Sequence, residues 1–473
     1  MRLKRRLGFF DLTAIVIGSI VGADIYVASS LSAGLLGPFS IFAWVVAGIF
    51  ATVIALVFAY CSYYVPRVGG PFAFVSEAFD DFWGFLTGWS LWIAELLALA
   101  VFAITFVNYL QYFIRLDFWL QVLIKFLFML SLTLVNVAGV RAAGKVNDVL
   151  TLLKMLPLIL LMVVGLGFFI FNPAVPASNY TPLAPLGFGG FGTAVVLIFW
   201  AFAGFELGTL PAAEVKNPRK TIPKAIITGM AIVTLFYLAT NFVVYGTVSW
   251  SSLAATSTPL ILSSTVLMGV AGAIIISIGA LISVSGSDEA GVLGTARLSY
   301  AMSIDGLFPK IFSKVHRKYG TPYMALLIQG AIGFILSIYS GIAGLISFSV
   351  FNMCFAFLLT CISLIILKSG KVKKLHGQNI VPWLGIAICF YMLYSTTIFD
   401  KTVGTLLILA GIPIFIFFSP KADIHHLKKF FLSEDEIFSR RLERKEHFLA
   451  HFLLILHRAY RKITGKPARA HGT

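Results

Sequence analysis

The sequence predicts an all-α membrane protein of about twelve transmembrane helices, each needing about 20 apolar residues. Three observations predict it. The chain is 59% hydrophobic and only 12% charged, with a mean hydropathy of +0.93, whereas soluble domains run at about 45–50% apolar and about 25% charged. Its apolar runs have the length of helices, not of barrel strands. Its basic residues fall in alternate connections, the pattern that orients a helical bundle in a bilayer.

The spans read at 11–36, 39–64, 82–113, 119–140, 148–171, 189–212, 223–248, 260–300, 322–340, 344–367, 381–398 and 402–419. The eighth is longer than a bilayer requires, so it projects beyond the membrane or contains a break. Alternate connections carry Arg67, then Arg141 and Lys145, then Lys216, Arg219, Lys220 and Lys224, then Lys310, Lys314, Arg317 and Lys318, then Lys368, Lys371, Lys373 and Lys374. The opposite connections 172–188, 249–259 and 341–343 contain no Lys or Arg, leaving Arg115, Lys125 and Lys401 on that side. This asymmetry places both termini in the cytoplasm and requires an even number of spans. The basic start at Arg2, Lys4, Arg5 and Arg6 is read as a cytoplasmic N-terminus and not as a signal peptide, because the run behind it is long, contains Asp11 and Asp24, and is followed by many more spans. The net charge of +16 sits in loops and tail and does not point to nucleic acid.

Two spans are interrupted. In the first, Gly18 and Gly22 weaken the helix at its centre and Asp24 puts a carboxyl near membrane depth. An interior glycine costs about 1 kcal/mol, and a carboxylate at the bilayer centre about 2.5–3.5 kcal/mol on the mildest scale. An opened helix whose freed backbone groups line a cavity accounts for both; a close helix-packing face accounts for the glycines alone. In the sixth span, Ala203-Gly204 is followed by Glu206 and Pro211. Interruptions at the first span of each of two five-span units point to inverted repeats, about 11–171 and 189–367, with two further helices at 381–419 and a binding site at the bilayer midplane. The region 1–420 is thus one membrane domain. The tail 421–473 reads as a basic amphipathic helix, with a capping box at Ser433–Glu436, basic residues Arg440, Arg441, Arg444 and Lys445, and apolar Phe448, Phe452, Leu453 and Leu456. It lies on the inner leaflet or packs against the bundle.

No catalytic constellation and no metal-ligand spacing stand out, so the sequence predicts no enzyme, no metal and no cofactor. Cys61, Cys354, Cys361 and Cys389 fall in or at the ends of apolar segments and read as buried small hydrophobes. The intramembrane ionisable residues are the functional candidates. They are Asp24, Glu95, Lys154 and Glu206, with Asp288 and Glu289 lower in span eight. Each has a structural alternative. Glu95 is a paired carboxylate; Lys154 snorkels to the headgroups; Glu206 bonds backbone freed by the break; Asp288 and Glu289 cap or pair with Arg297.

Four runs give the chain a resemblance to the amino acid–polyamine–organocation superfamily of transporters. They are Ile17–Tyr26 (IGSIVGADIY), Pro66–Phe72 (PRVGGPF), Phe199–Glu206 (FWAFAGFE) with Ala213–Pro223 (AEVKNPRKTIP), and Arg297–Met302 (RLSYAM) with Asp305-Gly306 and Gly320-Thr321-Pro322. The resemblance implies a five-plus-five inverted repeat with discontinuous helices 1 and 6, and secondary active transport of amino acids or related amines by alternating access. It implies that N–H groups over Gly18, Ser19, Ile20, Val21, Gly22 and Ala23 bind the substrate carboxylate. The carbonyls of Phe202, Ala203 and Phe205, around Gly204 and Glu206, receive the ammonium, and Trp200 and Phe202 gate the site. Lys154 takes the place of a coupling cation, with Ser283 and Ser285 as its span-eight oxygens, so transport is proton-coupled or sodium-independent, or an exchange. The implied partners are the substrate, protons and the lipid of the cell membrane. A ligand sensor on the same helices is the rival reading. One position departs from the family, which usually has glycine where this chain has Asp24. That carboxylate favours a cationic amino acid or an amine if it faces the site, or it N-caps the outer half of span one.

Overall fold

The computed structural model describes residues 8–65, 69–138, 143–206, 215–368 and 377–418; side chains at 143–152, 218–219 and 288–290 fall outside that description. So do the tail 421–473, the basic loop residues Arg67, Arg141, Lys371, Lys373 and Lys374, the side chains of Lys145 and Arg219, Pro211, and the Asp288–Glu289 carboxylates. Each predicted span contains helix among its described residues, interrupted in spans one, six and eight.

Span one is two helices, α1 (Phe9–Ile20) and α2 (Ile25–Leu36), followed by α3 (Ser40–Tyr64). The short α4 (Pro71–Ala78) enters through Gly69 and Gly70, both at positive φ (121° and 52°), where only glycine is comfortable. Then come α5 (Asp81–Leu110), α6 (Phe118–Ala138) and α7 (Ala143–Phe171), which complete the first five spans. After the short α8 (Ala174–Asn179), the second five begin with α9 (Phe191–Phe199) and a 3₁₀ turn at Trp200–Phe202. They continue with α10 (Pro218–Thr247), the short α11 (Trp250–Ala254), α12 (Pro259–Ile304), α13 (Tyr323–Tyr339) and α14 (Ile342–Leu367). The chain closes with α15 (Val381–Ser395), α16 (Ile398–Leu409) and α17 (Gly411–Phe418). Among the described residues, eight helical stretches are long and apolar enough to cross a membrane, and four shorter apolar helices accompany them.

Span eight does contain a break. α12 runs 46 residues, about 70 Å at ~1.5 Å per residue, against a hydrocarbon core of about 30 Å. Gly269, with φ 63° and ψ −151°, interrupts it near the end away from the basic loops.

α5 and α14 are the most buried long spans, while α6 and the α16–α17 segment are the most exposed. α5 packs on α14, α12 and α13; α10 packs on α3 and α1; α12 packs on α7. The outer spans turn Phe118, Trp119, Phe126, Phe390 and Phe417 outward, the surface expected toward lipid. The four cysteines are buried and free. Two local contacts set how α7 meets α12 and where α5 begins. The Pro157 ring of α7 fills the space a Cβ would take on Gly279 of α12, 2.5 Å from that position. The Asp80 carboxylate accepts the N–H of Trp83 at 3.0 Å and starts α5.

Candidate functional site

The first break is short. Val21 still donates to Ile17 O at 3.0 Å, then turns extended at ψ 99°, and helix resumes only at Ile25. Opening the helix frees carbonyls on one side and N–H groups on the other. Three carbonyls are taken up by three different spans. Lys154 Nζ of α7 donates to Gly18 O. Tyr237 Oη of α10 donates to Ile20 O at 3.1 Å. Ser287 Oγ of α12 donates to Val21 O at 2.8 Å. Among the described residues no backbone carbonyl receives the N–H of Gly22 or Ala23. The turn therefore presents unspent donors at the start of α2, where the helix dipole is positive.

The second break lies directly against the first. Ala203 leaves the 3₁₀ turn extended (ψ 157°), and Gly204 sits at φ +109°. A Cβ on Gly204 would lie 2.6 Å from Ser19 O and 2.9 Å from its carbonyl carbon. Ser19 Oγ donates to Gly204 O at 2.9 Å. Both carboxylate oxygens of Glu206 accept the Gly204 N–H, at 3.1 and 3.0 Å. Glu206 thus bonds backbone that the break has freed.

Lys154 is 3% exposed and does not snorkel. Besides Gly18 O it donates to Ser287 Oγ at 3.1 Å, so one serine links the ammonium to the opened turn. That serine is two positions beyond the expected pair. Ser285 Oγ donates back to Leu281 O at 2.7 Å within its own helix. Ser283 Oγ is buried near the hydroxyl of Tyr26, without meeting it at hydrogen-bond geometry. Helical periodicity held the signal: residues four apart share a face, so Ser287 goes with Ser283, and Ser285 points away.

Asp24 occupies the N-cap position of α2, but its side chain accepts no cap hydrogen bond. Its carboxylate instead overhangs the turn, with Oδ2 3.1 Å from where a Gly22 Cβ would be; Ser287 Cβ and Oγ lie 2.9 Å from the same point. Gly22 is thus walled in on both sides, and only glycine fits.

Asp24, Ser19, Gly204 and Ser287 line a cavity of about 50 Å³, closed on its other walls by α5 and α14. Glu95 of α5 faces the same space. Trp200 lines it too and meets Phe102 edge-on, with ring centroids 6.0 Å apart. The expected second aromatic, Phe202, turns the other way, into the wall formed by Trp44 (6.0 Å) and Tyr237 (5.3 Å). Phe102 had no sequence signal, being one phenylalanine in an apolar span.

Two opened helices backed against each other, with a cavity between them, are the geometry that the superfamily resemblance implies; the carboxylate of Asp24 in that cavity is this chain's own departure. The sequence pattern of the amino acid permease family matches residues 7–419. The chain belongs to that family. As a permease of the amino acid–polyamine–organocation superfamily it moves solutes and is not an enzyme. It is similar to the branched-chain amino acid permease BcaP of Bacillus subtilis (strain 168), 29% identical over 89% of this chain and 94% of that protein. It is also similar to the methylthioribose transporter of the same organism, 28% identical over 83% of this chain and 88% of that protein. Cationic amino acid transporter 4 of Mus musculus is 26% identical over 78% of this chain and 61% of that protein.

Proposed function

We propose that this permease carries a cationic amino acid or related amine across the cell membrane by alternating access, with both termini in the cytoplasm and without sodium. The observation that carries the reading is the clamped turn at Gly18–Asp24. Its carbonyls are held by Lys154, Tyr237 and Ser287, no backbone carbonyl among the described residues receives the N–H of Gly22 or Ala23, and beside the turn lies a cavity bearing Asp24 and Glu95. Such a site contacts both repeats at once, so tilting one against the other exposes it to each side in turn.

In this reading Lys154 is the coupling group. Its amine, withdrawn from water, ties span five to the carbonyl of Gly18 and to span eight through Ser287. Losing a proton weakens both ties, and regaining it restores them. Loading the amine from one side and unloading it to the other then couples proton movement to rearrangement of span one.

The test is uptake of labelled amino acids and amines by the purified protein in sodium-free liposomes. Accumulation driven by an inward proton gradient supports the reading. Uptake that requires sodium contradicts it. Acceleration by unlabelled solute on the far side, with no response to the proton gradient, identifies an obligatory exchanger.

A further inference from the structure

The opened turn of span one offers N–H groups for a carboxylate, and the protein's own Asp24 already holds its carboxylate over that turn. Oδ2 lies 3.1 Å from the Cβ position of Gly22. Asp24 is 5% exposed, lines the cavity and makes no cap bond. A zwitterionic ligand would have to bring a second carboxylate to the same donors. The other acids nearby do not relieve that repulsion. Glu95 lines the cavity as a further acid. Glu206 is spent on Gly204 N. The cation Lys154 lies near enough to Asp24 for their charges to interact, but it is not on the cavity wall, and its hydrogen bonds go to Gly18 O and Ser287 Oγ and not to a ligand. Every charged side chain on the cavity wall is therefore acidic, and one of them stands where the ligand's acid group would go.

We infer that the ligand of this site is a small organic amine lacking a carboxylate, and that Asp24 supplies the carboxylate an amino acid would bring with it. This deepens the proposed function and rests on it. The ammonium pairs with Asp24, and the remainder of the ligand lies toward Glu95 and the Phe102–Trp200 pair. An isolated ion in such a site is held only when paired, so charge balance itself selects the ligand.

The experiment compares pairs of solutes that differ only by the carboxylate: lysine with cadaverine, ornithine with putrescine, histidine with histamine. Uptake is measured in liposomes holding the full chain. The amine of at least one pair is expected to enter with a kcat/KM at least tenfold above its amino acid. In Asp24→Gly the preference should invert by tenfold or more, because the turn's donors are then free for the substrate's acid group. Asp24→Asn should lose amine uptake without gaining the amino acid. A wild-type preference for the amino acid in all three pairs overturns the inference while leaving the permease reading in place, as does an Asp24→Gly protein that keeps the wild-type ratio. Should a variant fail to fold, thermal stabilisation of the wild type decides. Stabilisation by the amines and not by their amino acids supports the inference, and the reverse overturns it. Uptake of neither member of any pair by folded wild type defeats both this inference and the function it rests on.

Discussion

Ser19 and Gly204, 185 residues apart, hold the two breaks against each other: the serine hydroxyl donates to the glycine carbonyl at 2.9 Å, while the serine carbonyl occupies the place of the glycine's missing Cβ. The two interrupted spans therefore share a backbone contact and cannot be adjusted independently.

Gly204→Ala should disable transport. An alanine at φ +109° carries strain of about 1–3 kcal/mol, and its methyl must displace the Ser19 peptide from 2.6 Å. Uptake below about a tenth of wild type is expected, since each 1.4 kcal/mol is tenfold. Ser19→Ala loses only one neutral hydrogen bond, worth about 0.5–1.5 kcal/mol, so its uptake should fall only severalfold. Initial-rate uptake at equal reconstituted protein checks both, and equal rates for the two variants would break the argument.

Lys154→Ala should abolish the response to a proton gradient while sparing exchange of solute for solute. Ser287→Ala is the sharper probe. It removes a hydrogen bond to a charged donor, about 1.5–3 kcal/mol, together with the link to Val21 O. The expected result is proton-driven uptake reduced about tenfold or more with binding retained. Ser285→Ala, whose hydroxyl bonds only Leu281 O within its helix, should transport like wild type. Measured pH profiles for the three proteins separate the roles.

Phe102→Ala should loosen the aromatic wall that Trp200 completes. The pair itself is worth about 0.5–1.5 kcal/mol beyond area burial. A KM raised severalfold with the proton response unchanged is expected; Phe102→Tyr should restore most of it. An unchanged KM in Phe102→Ala would remove Phe102 from the site.

Asp80→Ala addresses stability and not transport. Losing the cap that accepts Trp83 N–H at 3.0 Å should cost about 1 kcal/mol and lower the melting temperature measured in detergent. The transport rate of the folded fraction should stay the same.

Much of the fold was legible because the bilayer permits few solutions. Apolar runs of sufficient length become helices, and each expected span has one. The breaks were legible for the converse reason, since glycines and a carboxyl in the middle of a span carry a penalty that a plain crossing would avoid. The location of Lys154 was half legible. Its place near the end of a span fits snorkelling and burial equally, and only the tertiary approach of α7 to α12, set by Pro157 against Gly279, decides between them. Ser287 was missed where a count of the 3.6-residue period would have found it. Phe102 and Tyr237 carry no local signal: aromatic residues in apolar spans look alike until helices from distant parts of the chain bring particular ones to the site.

A cryo-EM map of the permease with a solute it transports decides whether the two opened turns hold that solute. Density for the solute is expected between Ser19–Asp24 of span one and Trp200–Gly204 of span six, with both segments uncoiled there. Solute density elsewhere in the bundle, or two continuous helices through Gly22 and Gly204, would contradict it.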